Sequence, residues 1–131
     1  ALLARPEVTS DDVVVIGFCM GGGLSLLGPS SSEKIVKASA FYPALPWPDF
    51  APDWTKYAGK AAIVHLAEHD DPDQPAAIAA YGAEIEANGG TIEVFNYPGT
   101  QHAFFNDARP EVFDADAAEL AWQRTLAFFR S

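Results

Sequence analysis

Apolar positions along the chain cluster into short runs separated by polar and glycine-rich stretches. Val13, Val14, Val15 and Ile16 are four consecutive β-branched residues, and such a run predicts a buried parallel strand. A second strand is expected from Ile35 to Tyr42, where Pro43 stops it, and a third from Ala61 to Ala67. Thr91 to Tyr97 reads as a fourth, with Ile92, Val94 and Asn96 alternating against Glu93, Phe95 and Tyr97. Between these runs the spacing turns helical. Residues 20–27 predict a short helix. Its glycines, Gly21 to Gly23, are poor in propensity but suit close packing on a sheet. Gly28-Pro29-Ser30-Ser31-Ser32 is expected to end it. Residues 76–88 place Ile78, Tyr81 and Ile85 on one face before Gly89-Gly90. Asp114 to Phe129 carries an inner stripe of Ala118, Ala121, Trp122, Thr125, Phe128 and Phe129.

Other segments punctuate this order. Residues 1–5 read as the last turns of a helix closed by Pro6, so the sequence is expected to begin mid-fold. Thr9 to Asp12 is a polar turn. Residues 43–54 hold Pro43, Pro46, Pro48 and Pro52 with Trp47, Phe50 and Trp54 between them. That composition predicts a loop, held down by its aromatic side chains or set over a pocket. Strands alternating with crossovers imply an α/β fold, a parallel sheet of about four strands flanked by helices, in one domain spanning residues 1–131. Ligands of such sheets bind outside the carboxyl ends of the strands. Cys19, an aspartate at 70 or 71, and His102 all fall there.

Composition narrows the class. The net charge is −10, with 8 Lys and Arg against 18 Asp and Glu, which argues against nucleic acid and anionic membranes as partners. No stretch approaches the length of a membrane span. The single cysteine excludes an internal disulfide and suits a reducing compartment. With no signal peptide visible, the expected location is cytoplasmic. The chain opens at Ala1 and not at methionine, so an upstream segment is expected.

The candidate chemistry starts at Gly17-Phe18-Cys19-Met20-Gly21, the G-x-S-x-G nucleophile elbow with cysteine in place of serine. A sharp strand-to-helix turn thrusts the nucleophile out at the end of the sheet. The N–H of Met20, at the helix start, is then an oxyanion donor, and the helix N-terminus favours thiolate. Nucleophile, acid and histidine follow one another in the order of an α/β-hydrolase triad. Cys19 would attack an acyl carbon, His102 would move the proton, and an aspartate would fix the imidazole tautomer. Counting from the strand favours Asp70 as the acid, whereas counting back from Pro75 favours Asp71. We take Asp70, because the strand fixes geometry and the loop absorbs an extra residue.

The segments GFCMGG, HLAEHDD and YPGTQHAFF resemble those of the dienelactone hydrolases (carboxymethylenebutenolidases), cysteine hydrolases of the α/β-hydrolase fold. The resemblance runs from Pro6 to Phe129 and covers the later, C-terminal half of that family's domain. It maps nucleophile, acid and base onto Cys19, Asp70 and His102. It implies hydrolysis of a lactone or activated ester through a cysteinyl acyl-enzyme, with a small-molecule substrate and neither metal nor organic cofactor. The family's earlier strands have no counterpart here, nor does the loop that supplies its second oxyanion N–H. The edge of the elbow strand is therefore expected to be open to self-association or to pairing with another chain. Well-known members also carry an arginine just after the catalytic histidine. Here Ala103, Phe104, Phe105 and Asn106 follow, and the first arginine is Arg109, which argues against dienelactone itself as the substrate.

The remaining polar residues take plainer readings. His65 and His69 are four apart, a metal-ligand spacing on a helix, but on a strand the two do not converge. His65 is expected in the core, His69 in a loop, and Glu68 as a solvated charge. Phe41 is expected to pack, and Tyr42 to touch substrate. Besides the hydrolase, two other functions fit the sequence. One is a catalytically incomplete fragment or interaction module needing a second polypeptide. The other is an acyltransferase in which a thiol or amine replaces water.

Overall fold

The computed structural model describes residues 2–45 and 47–131, so Pro46 lies outside the described residues. Four strands form one parallel sheet in the order β1-β2-β3-β4. They are β1 (Val13–Phe18), β2 (Ile35–Phe41), β3 (Ala61–His69) and β4 (Thr91–Gln101). Each strand lies beside the next in sequence, so every crossover steps the same way and falls on one face of the sheet. That face carries α1 (Met20–Ser31), the proline-rich connection with a 3-10 turn at Trp54–Tyr57, and α2 (Gln74–Ala87). Its core joins Leu26, Ile78 and Ile85 from the helices to Ala38, Ala40, Ala62, Val64 and Leu66 from the sheet. The other face is covered by α3 (Ala115–Arg130), whose Ala121 packs with Phe41, Tyr97 and Phe104.

Alternation in β4 expresses this layering. Ile92 packs toward α2, while Phe95 and Tyr97 belong to the cluster under α3. His65, on β3, is fully buried as expected, and it makes more than packing contacts. Its Nδ1 lies 2.7 Å from the Tyr97 hydroxyl and its Nε2 lies 3.0 Å from Thr125 Oγ1. The aromatic residues of the loop at 43–54 divide. Trp47 and Trp54 pack on the core, with Trp47 Nε1–H donating to Ala44 O at 2.8 Å, whereas Phe50 is exposed.

Several expectations need correction. The elbow strand is parallel but not buried: Val14 is 44% exposed and Ile16 39%. The cause is its place at the sheet edge, where α3 leaves one face uncovered. The same opening leaves Trp122, assigned to the inner stripe of α3, 38% exposed, while Ala118, Ala121 and Thr125 are buried. α1 does not stop at Gly28-Pro29 but runs to Ser31 with Pro29 inside it. Side-chain donors cap the carbonyls of its last turn. The Lys60 ammonium donates to Pro29 O at 2.8 Å and Ser32 O at 2.7 Å, and Ser30 Oγ–H donates to Leu27 O at 2.7 Å. Near the start, Leu2–Ala4 form a 3-10 turn in place of the end of an α-helix. Finally, β3 and β4 each outrun their expected ends, at Ala67 and Tyr97, and carry the chain into the site.

Candidate active site

The elbow forms where β1 turns into α1. Cys19 sits between them with φ 55° and ψ −118°, a backbone state that costs a non-glycine residue about 1–3 kcal/mol. Neighbouring backbone over-determines it. Cys19 N–H donates to Phe41 O at 3.0 Å, and Cys19 O accepts from Ala44 N–H at 2.9 Å and Gly23 N–H at 3.2 Å. The side chain is exposed. Met20 is the first residue of α1, so its N–H belongs to the set that no intrahelical carbonyl can satisfy.

β3 and β4 bring the other two residues together. His102 Nδ1 lies 2.8 Å from Asp70 Oδ2. A carboxylate only accepts, so Nδ1 carries the proton and Nε2 is left as the free nitrogen. Asp70 is nearly buried at its side chain, and His102 is about one-third exposed. The Asp71 N–H donates to Asp70 Oδ1 at 2.7 Å, and Gln74 Nε2 reaches Oδ2 at 3.4 Å while donating to Pro43 O at 2.8 Å. Asp71 turns away: its carboxylate accepts from Asp73 N–H at 3.0 Å, in an Asx turn just ahead of α2.

Tyr42 directly follows β2 at φ 34° and is buried, its ring set edge-on to His102 with centroids 5.0 Å apart. Its phenol is pushed up to about 12, chiefly by burial and further by the charge of Cys19. The ring also lines a cavity of about 350 Å³ with Phe18, Phe105 and Asn106. A larger groove of about 680 Å³ lies away from the Asp70–His102 pair, between Ile16 and Phe18 of β1 and Phe113 and Trp122 beyond. It is the uncovered face of the sheet edge.

Three placements were not legible beforehand. Gln74 is buried and braces Asp70, and no sequence signal separates it from any polar helix-start residue. Glu68 is solvated as expected, but it lies on β3 and accepts a 2.6 Å hydrogen bond from Gly99 N–H, a backbone partner that no side-chain pattern reveals. His69 is the last residue of β3 and not a loop residue, exposed with its Nε2 3.6 Å from Glu68 Oε2. Among the described residues no three His, Cys, Asp or Glu side chains stand together as a metal site, and no helix is long and apolar enough to cross a membrane.

A parallel sheet with a strained cysteine at the first strand-to-helix turn and an Asp–His pair at the later strand ends is the C-terminal portion of an α/β-hydrolase fold. Sequence comparison narrows the class further. The chain belongs to the dienelactone hydrolase family, whose model matches residues 1–131. It is 34% identical over 133 residues to a protein of Saccharolobus solfataricus named "Putative carboxymethylenebutenolidase", covering 99% of this chain and 49% of that protein. It is 32% identical over 122 residues to Protein usf of Aquifex pyrophilus, covering 90% and 50%. Its fold is similar to a solved structure named m3DLH, with a TM-score of 0.85 at 24% identity, covering 98% of this chain and 55% of that one. It is also similar to the dienelactone hydrolase-like promiscuous phosphotriesterase P91 from metagenomic libraries, with a TM-score of 0.79 at 22% identity, covering 98% and 56%. The chain thus spans about half the length of the relatives it matches.

Proposed function

We propose that this chain carries the catalytic residues of a cysteine-dependent hydrolase of lactones or activated carboxylic esters. The observation that supports this most directly is the 2.8 Å Asp70–His102 hydrogen bond at the sheet end where Cys19 is exposed. Cys19 Sγ passes its proton to His102 Nε2 and attacks the carbonyl carbon. The carbonyl oxygen takes up the negative charge, and Met20 N–H donates to it. The tetrahedral intermediate collapses to a thioester, and the imidazolium gives its proton to the departing alkoxide. Water then attacks the thioester with His102 as base. The C–S bond breaks, and a carboxylic acid and the free thiol are released. Asp70 holds Nδ1–H throughout and stabilises the imidazolium. Tyr42 supports the imidazole edge-on and, with Phe18 and Phe105, forms the apolar wall against which a small acyl group would rest. The test is p-nitrophenyl acetate hydrolysis by the purified chain beside Cys19→Ala. A burst or turnover lost in the variant supports the reading. Equal rates in both proteins overturn it.

A second reading has its own observation. β1 is an edge strand with Val14, Ile16 and Phe18 exposed, and the groove beside it continues that apolar surface. Such an edge suits added strands from another polypeptide or a second copy, and the chain would then be one part of a composite site. Light scattering of the chain with and without Ile16→Lys separates the cases. A lysine-sensitive oligomer supports pairing through this edge. A monomer in both speaks against self-association.

A further inference from the structure

The register between β3 and β4 changes as the strands reach the site. Ala61 pairs with Thr91, and the same offset holds through Ala67 and Tyr97. His69 then pairs with Gln101, so β4 carries two more residues than β3 across this short span. The extra length is the Pro98-Gly99-Thr100 bulge, with Gly99 at φ 75°. Proline and glycine are the residues that interrupt a ladder, and β4 is an edge strand, where that is tolerated. The bulge has a consequence for the pair. At the earlier offset Asp70 would face Thr100, and His102 would lie two residues beyond it. After the jump His102 stands level with Asp70, with His102 N–H donating to His69 O at 3.3 Å.

A bulge leaves backbone N–H and C=O groups without ladder partners, and here one of each is met by a side chain. Thr100 Oγ1–H donates to Tyr97 O at 2.7 Å, and Gly99 N–H donates to Glu68 Oε2 at 2.6 Å. Glu68 sits on β3 two residues before Asp70 and opposite the bulge, so its carboxylate ties the extra loop of β4 to the strand that bears the acid. We infer that Glu68 is a positioning residue, which pins the Gly99 bulge and so holds His102 in register with Asp70. This assignment rests on the hydrolase reading for its purpose, but it can be measured without substrate.

The experiment is NMR on the intact chain beside Glu68→Ala and Glu68→Gln. The glutamine variant keeps an oxygen acceptor for Gly99 N–H and loses only the charge. Two signals are followed: hydrogen exchange of the Gly99 amide, and the ring Nδ1–H resonance of His102, which reports its bond to Asp70. Glu68→Ala should speed Gly99 exchange by about tenfold, the scale of one lost hydrogen bond to a charged acceptor. It should also remove or broaden the His102 ring resonance. Glu68→Gln should retain both. Faster Gly99 exchange in Glu68→Ala with the ring resonance intact would reduce Glu68 to a turn cap and overturn the assignment. So would loss of the ring resonance in both variants, because charge and not the bond would then be responsible. Ester hydrolysis by the unsubstituted chain is scored separately. Its absence would count against the hydrolase reading while leaving the register result standing.

Discussion

A Cβ placed on Gly17 would stand 1.9 Å from the carbonyl oxygen of Gly21. The two glycines of the elbow are therefore not equivalent. At Gly17 the obstruction is backbone, which cannot swing aside as a side chain can. A Cβ on Gly21 meets nothing within 4 Å. Gly17→Ala is expected to lower stability by about 1–3 kcal/mol, the usual cost of overpacking, and to displace Cys19. Gly21→Ala lies in α1 and should leave stability unchanged or raise it by up to about 1 kcal/mol. Urea denaturation midpoints of the two variants check this. Equal loss in both would show that the motif's glycines serve one common purpose.

Lys60 closes a helix 31 residues away in sequence. Its ammonium donates to Pro29 O and Ser32 O, at the end of a helix that already lacks an N–H at Pro29. Lys60→Met keeps the aliphatic stem and removes the donors. It is expected to destabilise the chain by about 1–3 kcal/mol, the cost of a buried acceptor left unmet. Amide exchange in the last turn of α1 should quicken in the same variant. Unchanged stability with unchanged exchange would mean that the serine hydroxyls suffice.

The parts of this fold visible in sequence are those encoded locally. Four β-branched residues in a row announced β1, and the glycines around Cys19 announced the turn that follows. The Ile78–Tyr81–Ile85 spacing announced α2. What escaped depended on partners distant in the chain. Pro29 reads as a helix stop until Lys60 is known to reach its carbonyl. Pro98-Gly99 reads as the end of β4 until Glu68 is known to satisfy the bulge. β1 reads as buried on both faces because its composition is that of a central strand, yet it lies at an edge. The Asp70–His102 pair was within reach because strand ends in a parallel sheet converge. The choice of Asp70 over Asp71 followed from counting along the strand, since a loop residue next to it is free to turn away.

Buried His65 offers a pH-dependent signature. Each ring nitrogen of His65 faces a hydroxyl, Nδ1 that of Tyr97 and Nε2 that of Thr125, and Tyr97 also accepts from Arg124 Nη1–H at 3.2 Å. Burial, and after it the charge of Arg124, pulls the imidazole down to about 3. In the unfolded chain an imidazole titrates near the ordinary value of about 6.5. Between those values the unfolded state holds the extra proton, so stability falls as pH is lowered from about 6.5 towards 3. The contribution has a limiting slope of about 1.4 kcal/mol per pH unit. His65→Asn, which keeps one donor and one acceptor, should lose that part of the slope. Denaturation free energies of the two proteins across this range check it. Parallel curves would show that His65 is protonated in the folded chain as readily as in the unfolded one.

The two adjacent carboxylates should part company in activity. Asp70 is the one bonded to His102 Nδ1, while Asp71 uses its carboxylate on Asp73 N–H at the start of α2. Asp70→Asn replaces an acceptor with a group whose amide can donate, which favours the other imidazole tautomer and withdraws the charge that balances the imidazolium. If the hydrolase reading holds, kcat should fall by about 10⁴ with little change in KM, the pattern for loss of a triad acid. Asp71→Asn still presents an oxygen to Asp73 N–H and keeps its own N–H on Asp70, so kcat should stay within about threefold while stability shifts by less than about 1 kcal/mol. Steady-state ester hydrolysis by the two variants decides the matter. A larger loss in Asp71→Asn would transfer the acid's role to Asp71 and require the β3 end to rearrange when substrate binds.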